Sequence, residues 1–242
     1  MNSGRCASDK RAYVRHRTGH FCPRGNALDP GLRPADTANM RHQFYADRND
    51  VEKWTLVFRL AKERGASVFW AVMLTPDVGN THGGNWSSVA GADPVVAAFF
   101  DQERQRINGG AQRDLMRMAF LAGECGIPLR IFADAYPGSQ NAQTEYFRQL
   151  LAAVAQITDP RVVFLDPDNG LAGKNATNAH VWPEHLRQVW DALHAGDMLV
   201  LYQHGYRVAD WPEVKREQVA GVLGTPIQVA GTGPVRFFYA TR

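Results

Sequence analysis

The run Phe164-Leu165-Asp166-Pro167-Asp168-Asn169-Gly170 sets two carboxylates and an amide directly after an apolar stretch. Pro167 fixes φ and removes a donor, and Gly170 admits a left-handed turn, so the chain must bend here. One carboxylate could orient a substrate amine or hydroxyl, and Asp166 with Asp168 could hold a divalent cation. An Asx-type turn accounts for the same residues without chemistry. Tyr202-Gln203-His204 also follows an apolar run. Gln203 could hydrogen-bond a ligand, and His204 could serve as acid, base or metal ligand near neutral pH.

A third candidate is the glycine-rich segment from Thr75 to Asn85, which holds Asp77, Gly79, Gly83 and Gly84. Glycines let backbone N–H groups approach a nucleotide or sulfonium cofactor, and an acid such as Asp77 could bind a ribose hydroxyl. Its spacing departs from the dinucleotide fingerprint. Asp134 follows another short apolar run and joins Asp77 as a candidate cofactor-binding acid. Near the start of the patterned region, Asp47, Arg48 and Lys53 could point into a site. Capping by Asn49 or Asp50, with Glu52 near the positive helix end, accounts for more of that stretch. Cys125, ending an amphipathic segment, reads as core.

The elements that must position these groups follow from periodicity. Helical spacing covers Asn49–Arg64, Pro94–Arg106, Ala111–Glu124, Asn141–Gln156, Trp182–His194 and Pro212–Val222. Ser67–Leu74, Leu129–Ala133, Arg161–Leu165 and Met198–Tyr202 read as strands, the first a continuous apolar run expected of a strand covered on both faces. Ile227–Ala230 and Val235–Ala240, joined across Gly231-Thr232-Gly233-Pro234, predict a closing hairpin. Strands alternating with helices imply right-handed crossovers. The expected fold is α/β: a three-layer, Rossmann-like, mainly parallel sheet with a C-terminal antiparallel hairpin. Ligands bind such sheets beyond the carboxyl ends of the strands, where Asp77, Asp134, Asp166 to Asn169, and Gln203-His204 all fall.

Composition places the remaining limits. Residues 1–39 carry seven basic and three acidic side chains, and the rest of the 242 residues carry twenty and twenty-one. The first 39 residues, rich in proline and glycine, predict a basic, disordered arm that could reach nucleic acid, with 40–242 as one α/β domain. Cys6, His16, His20 and Cys22 fit no usual zinc-finger spacing, so no metal is assigned to them. Three cysteines argue against a disulfide framework. No apolar run spans a bilayer and no leader pattern precedes the domain, which predicts a cytoplasmic protein without a membrane partner.

Phe44–Asp47 (Phe-Tyr-x-Asp), Leu165–Gly170 (Leu-Asp-Pro-Asp-Asn-Gly) and Tyr202–His204 resemble motifs of a group of uncharacterised bacterial and phage proteins, over about Met40 to Arg242. More remotely, the second half is similar to the Rossmann-type S-adenosylmethionine-dependent methyltransferases. That likeness implies that Asp166 to Asn169 occupy the turn that binds the target nitrogen in amino-methylating members. It departs from them in having Asp168 and Asn169 where they have a proline and an aromatic. Under this reading S-adenosylmethionine is held by Asp77, Gly79, Gly83, Gly84 and Asp134, while Asp166, Asp168, Asn169, Gln203 and His204 form the catalytic set, with no resident metal. A second reading is a hydrolase or nuclease in which Asp77, Asp134, Asp166 and Asp168 bind Mg²⁺ or Mn²⁺. A third is a non-catalytic binding module of a defence or mobile-element operon.

Overall fold

A computed structural model describes residues 45–75, 88–158, 160–173, 176–177, 179–206 and 208–242. Asp77, Gly79, Gly83 and Gly84 lie outside the described residues, as do Phe44 and the basic arm. The elements are α1 (Arg48–Arg64), β1 (Ser67–Ala71), α2 (Pro94–Asn108), α3 (Met118–Glu124), β2 (Leu129–Phe132), α4 (Gln140–Ala155), β3 (Arg161–Leu165), β4 (Gly170–Leu171), β5 (His180–Val181), α5 (Pro183–Asp191), β6 (Met198–His204), α6 (Trp211–Leu223), β7 (Gln228–Ala230) and β8 (Val235–Thr241).

Six strands form one sheet in the order β2-β1-β3-β6-β8-β7. β2, β1, β3 and β6 are parallel, while β8 runs antiparallel to both β6 and β7. The α/β sheet with an antiparallel C-terminal hairpin is therefore present. Helices α1, α2 and α3 cover one face and α4, α5 and α6 the other, each set closing its own apolar core. Among the described residues no helix is long and apolar enough to cross a membrane.

Register and side-chain alternation fix what each strand presents. Phe132, Ala71, Leu165 and Leu201 stand level across the four parallel strands. The chain therefore leaves the sheet along one edge at Asp134, Val72, Asp166 and Gln203-His204. Because successive side chains on a strand point to opposite faces, Trp70, Phe164 and Tyr202 join the core under α1, while Phe69, Leu165 and Leu201 join the core under α4 to α6. Strand parity thus splits the Tyr-Gln-His motif, sending Tyr202 and His204 to one face and Gln203 to the other.

The structure departs from the periodicity at four places. β1 ends at Ala71 instead of continuing to Leu74, because Met73 takes a left-handed conformation (φ 53°) that leaves the extended path. The stretch expected to be helical from Ala111 starts as a 3₁₀ turn at Leu115–Arg117 capped by Asp114, and the α-helix begins at Met118. The small parallel pair β4–β5 is additional. The cap of α1 is Asp47, not Asn49 or Asp50: its Oδ1 accepts from Asn49 N at 2.8 Å and Asp50 N at 3.1 Å.

Candidate functional site

Asp50 at the third helical position reaches back, and its Oδ2 accepts the Ala46 amide at 2.7 Å. This reciprocal capping resembles a capping box. It also holds Ala46, fully buried, at a left-handed φ of 69°. A non-glycine residue there carries strain on the order of 1 kcal/mol. Ala46 and Met73, the two described non-glycine residues with positive φ, thus lead into α1 and out of β1 beside the same edge. Tyr45 anchors the segment through its hydroxyl to Glu103 of α2 at 3.2 Å, and Glu103 in turn accepts from Arg106 and Arg117.

One turn into α1, Lys53 lies on the buried stripe with Asp50, Trp54, Val57 and Ala61. Its Nζ donates to Asp50 Oδ1 at 3.0 Å and to Asp166 Oδ2 at 2.8 Å, and sits 4.9 Å from the centre of the Tyr202 ring. Trp70 Nε1 donates to the same Asp166 Oδ2 at 3.0 Å. The Trp70 ring is held edge-on against Trp54, with centroids 4.7 Å apart. Asp166 Oδ2 is thereby fixed from two sides, and among the described residues Oδ1 has no partner. Above this pair, Tyr202 Oη and His204 Nε2 are 3.0 Å apart.

The electrostatics follow from three carboxylates gathered around one ammonium. Burial works against the charge on Lys53, but Asp166 and then Asp50 more than offset it, so the amine stays protonated far above its usual range. Burial raises Asp166 to about 6, against the pull of Lys53. Burial and then the charge of Asp50 raise Asp47 to about 7. Burial and then Lys53 lower His204, so its imidazole is neutral at pH 7.

These shifts carry a sign for stability. Asp47 binds its proton more tightly folded than unfolded, so between about pH 4 and pH 7 the folded state holds the extra proton. Stability is therefore lost as pH rises through that window. Asp47→Asn keeps a good cap while removing the titration. Thermal unfolding at pH 5 and pH 8 should show wild type losing on the order of a few kcal/mol relative to Asp47→Asn. Parallel pH profiles for the two proteins would contradict the assignment.

The remaining candidates fall as follows. Thr75 Oγ1 donates to Asp168 Oδ2, tying the end of β1 to the turn after β3. Asp166 and Asp168 are thus drawn to different partners. Gln203, 2% exposed, spends its whole amide on backbone: Oε1 accepts from Leu171 N at 2.8 Å, and Nε2 donates to Asn169 O and His204 O, both at 2.7 Å. It braces the acidic turn from the far face. Gly170 fits this brace, since φ is +87° and an added Cβ would lie 2.3 Å from Gln203 Oε1. Asn169 is half-buried, its backbone N–H donating to Ala179 O at 3.0 Å. Asp134 is exposed past the end of β2, two strands away from β3. Lys53, Trp70 and Tyr202 belong to the cluster although the strand-end rule does not select them. The signal for Lys53 is a lysine that shares a mainly apolar helical stripe with Asp50, where burial without a partner would be forbidden.

Among the described residues no three His, Cys, Asp or Glu side chains come together as a metal-holding group. No protein-family model matches the chain, and no curated protein matches its sequence.

Proposed function

We propose that this chain is an S-adenosylmethionine-dependent methyltransferase-like enzyme whose acceptor site is the edge at Asp166. The observation that carries the reading is the half-committed carboxylate, with Oδ2 locked by Lys53 and Trp70 and Oδ1 without a partner among the described residues, at the end of a central parallel strand. The turn after β3 is where the methyltransferase likeness has its target-nitrogen site. A parallel sheet closed by an antiparallel hairpin supports that likeness.

The cofactor would supply an electrophilic methyl group on sulfonium. Asp134, exposed at the end of the strand beside β1, has the chemistry to accept ribose hydroxyls, and Asp77, Gly79, Gly83 and Gly84 belong to the loop assigned to the same task. Asp166 Oδ1 accepts the N–H or O–H of the acceptor and aims its lone pair, a positioning role suited to methyl transfer. Lys53 keeps that carboxylate ionised and stationary. In the tautomer that donates Nε2–H to Tyr202, the neutral His204 would keep the Nδ1 lone pair for the proton the acceptor releases.

The Mg²⁺ or Mn²⁺ hydrolase reading is weaker because Asp166 already spends an oxygen on an ammonium and an indole N–H, and Asp168 is engaged by Thr75. Titration calorimetry on the full chain distinguishes the readings. Saturable heat is expected with S-adenosylmethionine and S-adenosylhomocysteine, and reduced affinity in Asp134→Ala. No heat from either compound removes the methyltransferase reading.

A further inference from the structure

α6 carries a second lysine on an apolar stripe. Trp211, Lys215, Val219 and Leu223 recur at intervals of four and are the helix's buried residues. Lys215 is 5% exposed and lies on the face opposite Lys53, beneath the segment that follows the acidic turn. Its Nζ donates to Leu171 O at 2.8 Å and lies 5.7 Å from the centre of the Tyr206 ring.

What separates Lys215 from Lys53 is the missing counter-ion. Lys53 meets two carboxylates, whereas among the described residues no carboxylate pairs with Lys215. Burial lowers its basicity. His180, near enough to feel the lysine's charge, offers no negative group. An ammonium has three donors, and one carbonyl uses one of them. A carbonyl partner needs only a neutral donor, so a buried charge costs far more than capping Leu171 requires.

Two described residues beside the ammonium bear on what could supply the charge. Gly173 borders the ammonium without a side chain, and a Cβ there would stand 3.7 Å from Nζ. Tyr206 is 40% exposed, so its ring offers an aromatic surface beside the amine. We propose that Lys215 anchors a second binding site, for a small anionic ligand bearing a carboxylate or phosphate group, between Gly173 and Tyr206. An anion there completes the ammonium's hydrogen bonds and neutralises it, and the ligand's body rests against Tyr206. The site stands on the α6 face and does not depend on methyl transfer at Asp166.

The test is thermal unfolding and calorimetry of the full chain with inorganic phosphate or with acetate, against chloride at matched ionic strength. Lys215→Gln keeps a donor for Leu171 without the charge, and Lys215→Arg keeps the charge. Wild type and Lys215→Arg are expected to be stabilised by one of the two anions. Lys215→Gln should bind it about ten- to a hundredfold more weakly, the range for losing one charge-assisted hydrogen bond. A phosphate effect assigns the phosphate class, and an acetate effect the carboxylate class. If neither anion acts on wild type beyond chloride, or if Lys215→Gln responds equally, the proposal is overturned. Should Lys215→Gln not fold, the Lys215 Cε resonance of wild type, assigned with Lys215→Arg, must move on titration with the active anion; an unmoved resonance overturns the proposal as well.

Discussion

Replacing Lys53 with methionine should destabilise the chain by about 3–5 kcal/mol, the range for removing one partner of a buried ion pair. The reason is asymmetry. Methionine fills the space beside Trp54, but Asp50 and Asp166 are left buried with no cation. For a domain of this size that loss lowers Tm by roughly 10 °C. The penalty should shrink at pH 5, below the value of about 6 to which burial raises Asp166, because that carboxylate is then protonated. It should shrink also in the double variant Lys53→Met/Asp166→Asn, which removes a carboxylate along with the amine. A Lys53→Met protein that unfolds like wild type at pH 7.5 would mean that the ammonium is not between those carboxylates.

Asp166→Asn should separate folding from chemistry. Asparagine keeps an oxygen for Trp70 and Lys53, and the cluster keeps Asp47 and Asp50, so the stability change should stay within about 2 kcal/mol. Transfer should fall by roughly 10²-fold, the range for misplacing a reacting group that Asp166 would otherwise aim. Affinity for S-adenosylmethionine should be unchanged, because the candidate cofactor acid lies at Asp134. Radiolabelled methyl transfer to the acceptor, with calorimetry on the same preparation, measures both. Wild-type turnover in Asp166→Asn would remove the carboxylate from the reaction.

The two variants bear on how much the sequence discloses. The scaffold is legible because short apolar runs rich in β-branched and aromatic residues, such as Val68–Val72 and Val162–Leu165, fit strands covered on both faces and are too short for helices. Strand parity, applied to Tyr202-Gln203-His204, also separates the residue that braces from the residues that face α1. The edge of the site follows from the strand ends. The side chains that arm it follow only in part: Lys53 is among the charged residues at the start of α1 that could point into a site, whereas Trp70 arrives from a mid-strand position that no motif marks. Lys53 and Lys215 share one readable trait, a lysine on a buried helical stripe. Sequence cannot say that one finds two carboxylates and the other a lone carbonyl.

Elsewhere local chemistry is degenerate. Asp47, Asn49 and Asp50 can each cap a helix, and only the backbone path through Ala46 selects Asp47. The β4–β5 pair is two residues long on each side, too short for any period to register. Its position depends on Gln203 reaching Leu171 N across the sheet. Asp166-Pro167-Asp168 looks like a bidentate cation turn until Thr75 and Lys53 claim the two acids separately.

The claim on which the rest stands is that Asp166 titrates at the edge where the ligand binds. Trp70 Nε1–H donates to that carboxylate, so its indole resonance, assigned with Trp70→Phe, reports on it directly. In ¹⁵N-correlated spectra we expect this resonance to titrate with a midpoint near 6, and to move when S-adenosylhomocysteine and an acceptor are added. A resonance indifferent to pH between 4 and 8, or unmoved while bound ligand is demonstrated by calorimetry, would place the chemistry somewhere other than Asp166.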